Sequence, residues 1–248
     1  MIKLSKLQCL TLTAMFGAIM AILMFTPIGF PQIPLIGSAT VIHIPVIIGA
    51  IIMGPKYGAL LGFLFGLASM IFASTASLAL NRFAFSPFVN VPGTDSGSLW
   101  AIVIAFGPRI LVGVVAALVF MGIMKLAEIL PLPKLITTTV VTHKDKTRTF
   151  TWHPKEPRIL AIVLAAGAAS MTNTLLVLNL LYAIFRDQWS YAREAAGVVS
   201  PQITYAFVSA TIVGFGIPEA IAAMVIAPPV CLAIYVVAKR MPQKQGAA

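Results

Sequence analysis

Three ionisable residues, His43, Arg109 and Glu219, each stand within two positions of a proline at the predicted start of an apolar helix. Ionisable side chains are costly inside a membrane and normally face the interior of a helix bundle. Helix starts carry partial positive charge and favour anions. If the three starts lie at one depth, these residues predict a polar pocket. An alternative is that Arg109 and Glu219 only pair with each other.

Further polar residues extend this candidate pocket along one predicted helix. Asn179, Tyr182 and Arg186 are spaced i, i+3 and i+7 and therefore share a face, and Asn173 lies near the middle of the same helix. Amide and hydroxyl groups of a small molecule suit such side chains. An alternative use of Asn173 is an interhelical hydrogen bond.

The connection at residues 80–98 joins the third and fourth predicted helices and adds two candidate binding residues, Asn81 and Arg82. Phenylalanines at 83, 85 and 88 surround them, a composition suited to a lid over a small polar molecule. We expect the apolar, proline-rich loop at 27–37 to cover the same side.

No enzyme motif is present: the chain lacks a Gly-x-Ser-x-Gly elbow, a His-Glu-x-x-His motif and a Walker A loop. An intramembrane enzyme needs a nucleophile beside a base, and the spacing assembles no such pair. His143 and His153 have no acidic or cysteine companions that would form a zinc site. We therefore predict no catalytic residue, no metal site and no disulfide framework.

The composition places these residues in a membrane protein. Of the 248 residues 59% are hydrophobic and 10% are charged, against roughly 25% charged in soluble domains. Continuous apolar runs of about 20 residues predict helices rather than barrel strands. We predict an all-α bundle in one integral membrane domain, 1–248, whose six transmembrane helices cover residues 5–26, 38–54, 56–79, 99–127, 158–185 and 217–239. We interpret residues 203–216 as a packed or re-entrant segment, and expect the fourth helix to be partly unwound before Pro108.

The net charge of +10 is explained by cationic cytoplasmic loops rather than by nucleic acid. With the N-terminus inside, only Arg82, Arg109, Arg186 and Arg193 of the 17 basic residues lie outside, so both termini are predicted to be cytoplasmic. A basic insertion at about 131–157, between the fourth and fifth helices, is then cytoplasmic too. Its alternating β-branched residues predict a hairpin.

Small residues mark two helix faces for close packing. Gly54 and Pro55 predict a helix stop followed directly by a helix start. Glycines at 54, 58, 62 and 66 recur every four residues and predict a stripe that another helix approaches closely. Ala14 and Ala18 form an Ala-x-x-x-Ala pair on the first helix.

These features together resemble the S-components, the substrate-binding subunits of energy-coupling factor (ECF) vitamin transporters. The resemblance is carried by the Ala14/Ala18 pair, by the stretch 39–50 and by the Gly-Pro-Lys-Tyr-Gly-Ala-Leu-Leu-Gly sequence at 54–62. Residues 85–88 and 171–178 resemble a branch often linked to pantothenate. Typical S-components have a short connection where this chain carries 131–157.

The resemblance implies a six-helix S-component fold that takes up a vitamin, with pantothenate the best candidate, from outside. It implies partnership with a T-component and two ATPases, which use ATP, so no cofactor is expected in this chain. Ala14 and Ala18 inherit the role of the T-component interface. Riboflavin, folate or a thiamine precursor remain alternative cargoes, and an intramembrane enzyme or a ligand-free scaffold are alternatives of another class.

Overall fold

The computed structural model describes residues 4–26, 29, 32–33, 37–38, 40–75, 81–129, 142–143, 146–147, 158–198 and 202–240. Its helices are α1 (Lys6–Met24), α2 (His43–Met53), α3 (Pro55–Thr75), α4 (Trp100–Ile129), α5 (Arg158–Ala195), α6 (Tyr205–Thr211) and α7 (Ile217–Arg240). A 3₁₀ turn covers Arg82–Ala84 and a π-helical turn covers Ile212–Gly216. Two antiparallel pairs of two-residue strands, β1 (Gln32–Ile33) with β2 (Gly37–Ser38) and β3 (Thr142–His143) with β4 (Lys146–Thr147), complete the described elements.

The predicted all-α class is confirmed for the part of the chain that the structure describes. Five of its helical segments are long and apolar enough to cross a membrane, with α6, the π turn and α7 counted as one. The remaining apolar helix, α2, has 11 residues. At about 1.5 Å per residue it is shorter than the hydrocarbon layer of about 30 Å.

Helix α2 lies at the centre of the bundle, and every one of its residues is buried. It packs against α1, α3, α4, α5 and α7. A helix that is apolar on all sides is stable only when neighbours cover it completely. The short helix α2 is therefore the one that the longer helices surround.

The glycine stripe of α3 packs against α4, as the sequence predicts. Gly54 ends α2 with φ of 93°, and Pro55 is the first residue of α3. A methyl group on Gly58 would lie 2.6 Å from the Gly113 carbonyl oxygen, and one on Gly62 would lie 2.2 Å from the Arg109 carbonyl oxygen. The backbones of the two helices are in contact along this seam, which fixes the height and rotation of Arg109.

Two predictions about helix continuity are wrong, and one predicted helix end is confirmed. Helix α4 is continuous from Trp100 and passes through Pro108, because a side chain takes over the carbonyl that the proline leaves free. The regular part of α5 ends at residue 185, as predicted, because the backbone of Phe185 is non-helical (φ −128°, ψ 19°); a second helical stretch continues beyond this kink to Ala195. The segment predicted at 203–216 is not separate from the last helix, because α6 and the π turn continue directly into α7.

The buried apolar side chains of the bundle form two clusters. The larger one lies between α1, α2, α3, α4, α5 and α7. The smaller one gathers Phe83, Val91, Phe185, Trp189 and Val208, from the α3–α4 connection, the end of α5 and α6. We call this second region the distal end of the bundle. Of the predicted hairpin at 131–157, only β3 and β4 are described. Residues 76–79 of the predicted third helix and residue 80 of the connection that follows also lie outside the described residues.

Gly62→Ala is expected to destabilise the protein, because its methyl group would overlap the α4 backbone at Arg109. Overpacking of this kind costs about 1–3 kcal/mol. The matched control is Gly122→Ala on α4, where the new methyl group would meet nothing within 4 Å. Thermal unfolding in detergent should show a lower Tm for the first variant and an unchanged or higher Tm for the control. Equal Tm values would contradict the close contact of α3 with α4.

Candidate binding site

Buried polar side chains from four helices gather near the start of α2. We call them the polar cluster: His43, Arg109, Ser170, Asn173, Thr174 and Glu219. Ser170, Asn173 and Thr174 lie at i, i+3 and i+4 on α5 and therefore share one face. The sequence placed His43, Arg109, Asn173 and Glu219 in a pocket, and the structure buries all four.

His43 joins α2 to α5. Its Nε2 lies 3.0 Å from the Ser170 hydroxyl oxygen, and the two side chains are 1% and 0% exposed. Its Nδ1 has no well-formed hydrogen bond, although the backbone of Thr40 is close. A histidine–serine contact resembles a base beside a nucleophile, but in the described part of the chain no carboxylate bonds Nδ1 to orient this imidazole, as hydrolase triads require.

Glu219 joins α7 to α2 and α5. One carboxylate oxygen accepts a hydrogen bond from the Thr40 backbone N–H, and the other accepts one from the Thr174 hydroxyl at 3.0 Å. The π turn that precedes α7 brings Gly216 against Thr174, so close that a methyl group on this glycine would lie 2.8 Å from Thr174 Cγ2. π turns are often found at functional sites. Here the turn seats the start of α7 against α5.

Arg109 is fixed by the backbone of its own helix. Pro108 has no N–H and cannot bond the Ile104 carbonyl four residues earlier. Arg109 Nη1 donates to that oxygen at 2.7 Å. The guanidinium carbon also lies 5.5 Å from the Phe65 ring centroid and 4.8 Å from that of Phe85, within the range of a cation–π interaction.

Arg109 and Glu219 are not in direct contact. They interact electrostatically over a longer distance, whereas Arg186 and Asp187 form an ion pair at 3.3 Å. Glu219 instead bonds two threonines. The direct pairing considered from the sequence is absent from this structure.

Three atoms of the polar cluster are buried without a hydrogen-bond partner in the described part of the chain: His43 Nδ1, Arg109 Nε and Asn173 Oδ1. Buried polar groups are paired in the great majority of cases, because an unpaired one costs about 1–3 kcal/mol. The three atoms comprise an imidazole nitrogen, a cationic donor and an amide acceptor. Together they could bind a ligand with an anionic group and additional donors.

The other predicted binding residues lie nearer the distal end. Asn179 donates to the Leu175 carbonyl at 2.7 Å and faces the Tyr205 hydroxyl at 3.4 Å. Tyr182 packs edge-on against Tyr205, with ring centroids 5.7 Å apart. Asn81 and Arg82 are half-buried on the α3–α4 connection. Arg82 lines a surface cavity of about 510 Å³ together with Ser74, Phe83, Phe88, Val89, Asn90 and Pro92.

Ala14 and Ala18 lie away from the polar cluster, on the exposed face of α1. The buried residues of that helix are Cys9, Thr13, Phe16, Met20 and Met24. The alanine pair is thus not part of the packing inside this bundle.

Sequence reasoning missed several residues that complete the cluster. Ser170 and Thr174 could have been found from their positions i−3 and i+1 relative to Asn173 on a helix. No sequence pattern indicates that Thr40 bonds Glu219 or that Phe65 packs on Arg109, because each contact joins segments that are far apart in the chain. Phe85 was noted only as a lid residue.

The fold and the site define a multi-pass helical membrane protein with a buried cluster of polar side chains. The family described as ECF transporter, substrate-specific component, matches residues 8–231, and the chain belongs to this family. It is therefore a transporter subunit of the prokaryotic plasma membrane and not an enzyme, and its family implies partnership with a T-component and ATPases. The chain is similar to the pantothenic acid transporter PanT of Lactococcus lactis subsp. cremoris (strain MG1363), with 33% identity over 201 residues, 80% of this chain and 85% of that protein.

Glu219→Ala is expected to lower the free energy of unfolding by about 2–4 kcal/mol, because the Thr40 N–H and the Thr174 hydroxyl each lose a buried acceptor. Glu219→Gln keeps an acceptor oxygen and should lose less. Denaturant unfolding in detergent gives both values. A loss for the alanine variant no larger than that for the glutamine variant would show that these hydrogen bonds do not hold α7 to α2 and α5.

Proposed function

We propose that this subunit binds pantothenate from the outer side of the membrane. The observation that carries the proposal is Arg109 Nε, a cationic donor that is buried and has no hydrogen-bond partner among the residues that the structure describes. Pantothenate offers a carboxylate for the arginine, and an amide and hydroxyl groups for neutral polar side chains. Similarity to a pantothenic acid transporter supports the same cargo.

Arg109 is proposed as the carboxylate anchor. Its Nη1 is already bonded to Ile104, so the edge that carries Nε is left for the ligand. Arginine binds carboxylates through two parallel N–H groups, and such bonds are stronger where water is excluded. His43 and Asn173 have the remaining unpaired atoms and are proposed to bind the amide and hydroxyl groups.

The remaining predicted site residues are given supporting roles. Glu219 bonds Thr40 and Thr174, and is proposed to hold the site together while balancing the charge of Arg109. Asn179 and Tyr182, with Asn81 and Arg82 on the α3–α4 connection, are proposed to line the route from the distal end.

We further propose that α2 is the sixth membrane helix, that both termini are cytoplasmic and that the distal end faces outward. The distribution of basic residues supports this orientation. The insertion at about 131–157 is then cytoplasmic. In this arrangement the polar cluster lies in the outer half of the bundle.

Transport is proposed to require a T-component and two ATPases, which use ATP, so that this chain needs no cofactor of its own. The exposed alanine face of α1 supports a docking role, because small side chains allow a partner helix to approach closely. We propose Ala14 and Ala18 as the contact with the T-component.

Purified protein should be stabilised by pantothenate, by about 2.7 kcal/mol when the ligand is at about 100 times its Kd. Calorimetry with pantothenate, riboflavin, folate and thiamine tests the choice of cargo. If only another vitamin binds, that vitamin and not pantothenate is the cargo. If none of the four binds, the hypothesis of a ligand-free scaffold is favoured.

Arg109→Met is expected to weaken pantothenate binding by roughly 30-fold or more, because it leaves the ligand carboxylate unpaired. The matched control is Arg193→Met. Arg193 also has a buried unpaired Nε and lies 4.4 Å from the Phe207 ring centroid, but it is outside the polar cluster. Equal losses in the two variants would refute Arg109 as the anchor.

Ala14→Trp should leave pantothenate affinity of the isolated subunit unchanged and abolish copurification with the T-component and uptake. The reason is that a large side chain on this exposed face blocks close helix contact but does not reach the polar cluster. Leu118→Trp, on the exposed part of α4, is the control for a bulky residue at the bundle surface. Normal assembly and uptake by the Ala14 variant would exclude this face as the coupling surface.

A further inference from the structure

The aromatic ring of Phe85 lies closer to the Arg109 guanidinium than that of Phe65, at 4.8 Å against 5.5 Å. Phe65 belongs to α3 and is completely buried. Phe85 follows the 3₁₀ turn of the α3–α4 connection and is half-buried. The contact therefore joins a residue of the distal connection to a cation inside the bundle.

The backbone on both sides of Phe85 is held in place. Phe83 and Ala84 are buried, and the Phe83 ring packs edge-on against Phe185, with centroids 5.5 Å apart. Ser86 is 0% exposed, its hydroxyl lies 2.7 Å from that of Ser74 on α3, and it accepts a hydrogen bond from the Phe88 N–H. These contacts anchor the connection independently of the Phe85 side chain, so the ring is presented to Arg109 by an ordered segment.

A ring beside a guanidinium has two physical effects. It attracts the cation through its quadrupole, and it keeps water from that side. A carboxylate is then directed to the remaining edge, where the interaction is less screened than in water. The binding free energy of a neutral ligand group depends little on either effect, because such a group has no charge to interact with the guanidinium that is shielded from water.

We propose that Phe85 is a specificity-determining residue, which makes the site prefer a carboxylate over an uncharged group at the same position. This inference rests on the proposed function, in which Arg109 binds the carboxylate of the ligand. It adds that the α3–α4 connection sets the strength of that interaction without touching the carboxylate itself.

The test compares pantothenate with pantothenol, its uncharged alcohol analogue, by calorimetry on the full chain at low and high salt. Phe85→Ala should weaken pantothenate binding by about tenfold and leave pantothenol binding nearly unchanged, because only the anion depends on the shielded charge. The pantothenate affinity of the variant should also fall more steeply with salt than that of the wild type. Simple loss of packing would weaken both ligands alike and leave the salt dependence unchanged.

Phe63→Ala is the matched control, since Phe63 is a half-exposed phenylalanine of α3 whose ring packs on Phe106 and not on Arg109. It should keep the wild-type ratio of the two affinities. Phe85→Leu retains an apolar side chain without the ring and is the second variant if the alanine form does not fold; it should lose part of the discrimination.

An unchanged ratio and salt dependence in the Phe85 variants, with pantothenate still bound by the wild type, would overturn this inference alone. Failure of the wild type to bind pantothenate would overturn the proposed function as well. The two failures are thus distinguishable in one set of titrations.

Discussion

The hydrogen bond that Pro108 cannot make is the constraint on which this site depends. A proline inside α4 leaves the Ile104 carbonyl without its helical partner, in a region where no bulk water can replace it. Arg109, one position later, donates to that oxygen. The arginine therefore supplies the hydrogen bond that the proline cannot make to the Ile104 carbonyl. The helix continues without a break, and a cation that is costly at membrane depth obtains a fixed orientation. The glycine seam between α3 and α4 then brings the ring of Phe65 within reach of this cation.

The polar cluster is built around the first turn of α2, because this helix is shielded on every side. A helix that faced lipid could not place a histidine at the same level without exposing it to hydrocarbon. Here α5 provides Ser170 for His43, and the start of α7 provides Glu219 for the Thr40 N–H. Three helices that are far apart in sequence thereby share one hydrogen-bonded region, and the π turn before α7 places the last of them.

Unpaired atoms in such a cluster also have an energetic meaning for a subunit that must bind and release its cargo. A buried guanidinium N–H and a buried amide oxygen without partners are less stable than the same groups hydrogen-bonded to a ligand. On the proposed function, part of the binding free energy therefore comes from pairing these protein groups rather than from burial of the small, polar ligand. The exposed face of α1, proposed for docking, carries none of the cluster residues, so on this proposal capture of cargo and assembly with partners can be altered independently.

The sequence by itself determined the membrane class, the approximate positions of the apolar helices, the close packing along the α3 glycines and four members of the cluster. Those properties follow from hydropathy, helical periodicity and the cost of charge in lipid, all of which are local. The predicted helix end at 185 coincides with the kink at Phe185. The segment at 203–216 was predicted wrongly as separate, because a π turn allows the helix to continue where the residue pattern indicates a break. Only the tertiary structure decided that Glu219 bonds Thr40 and Thr174 rather than Arg109, and that Phe65 and Phe85 lie beside the arginine. These contacts depend on the relative heights and rotations of packed helices, and one sequence without its fold does not contain those distances.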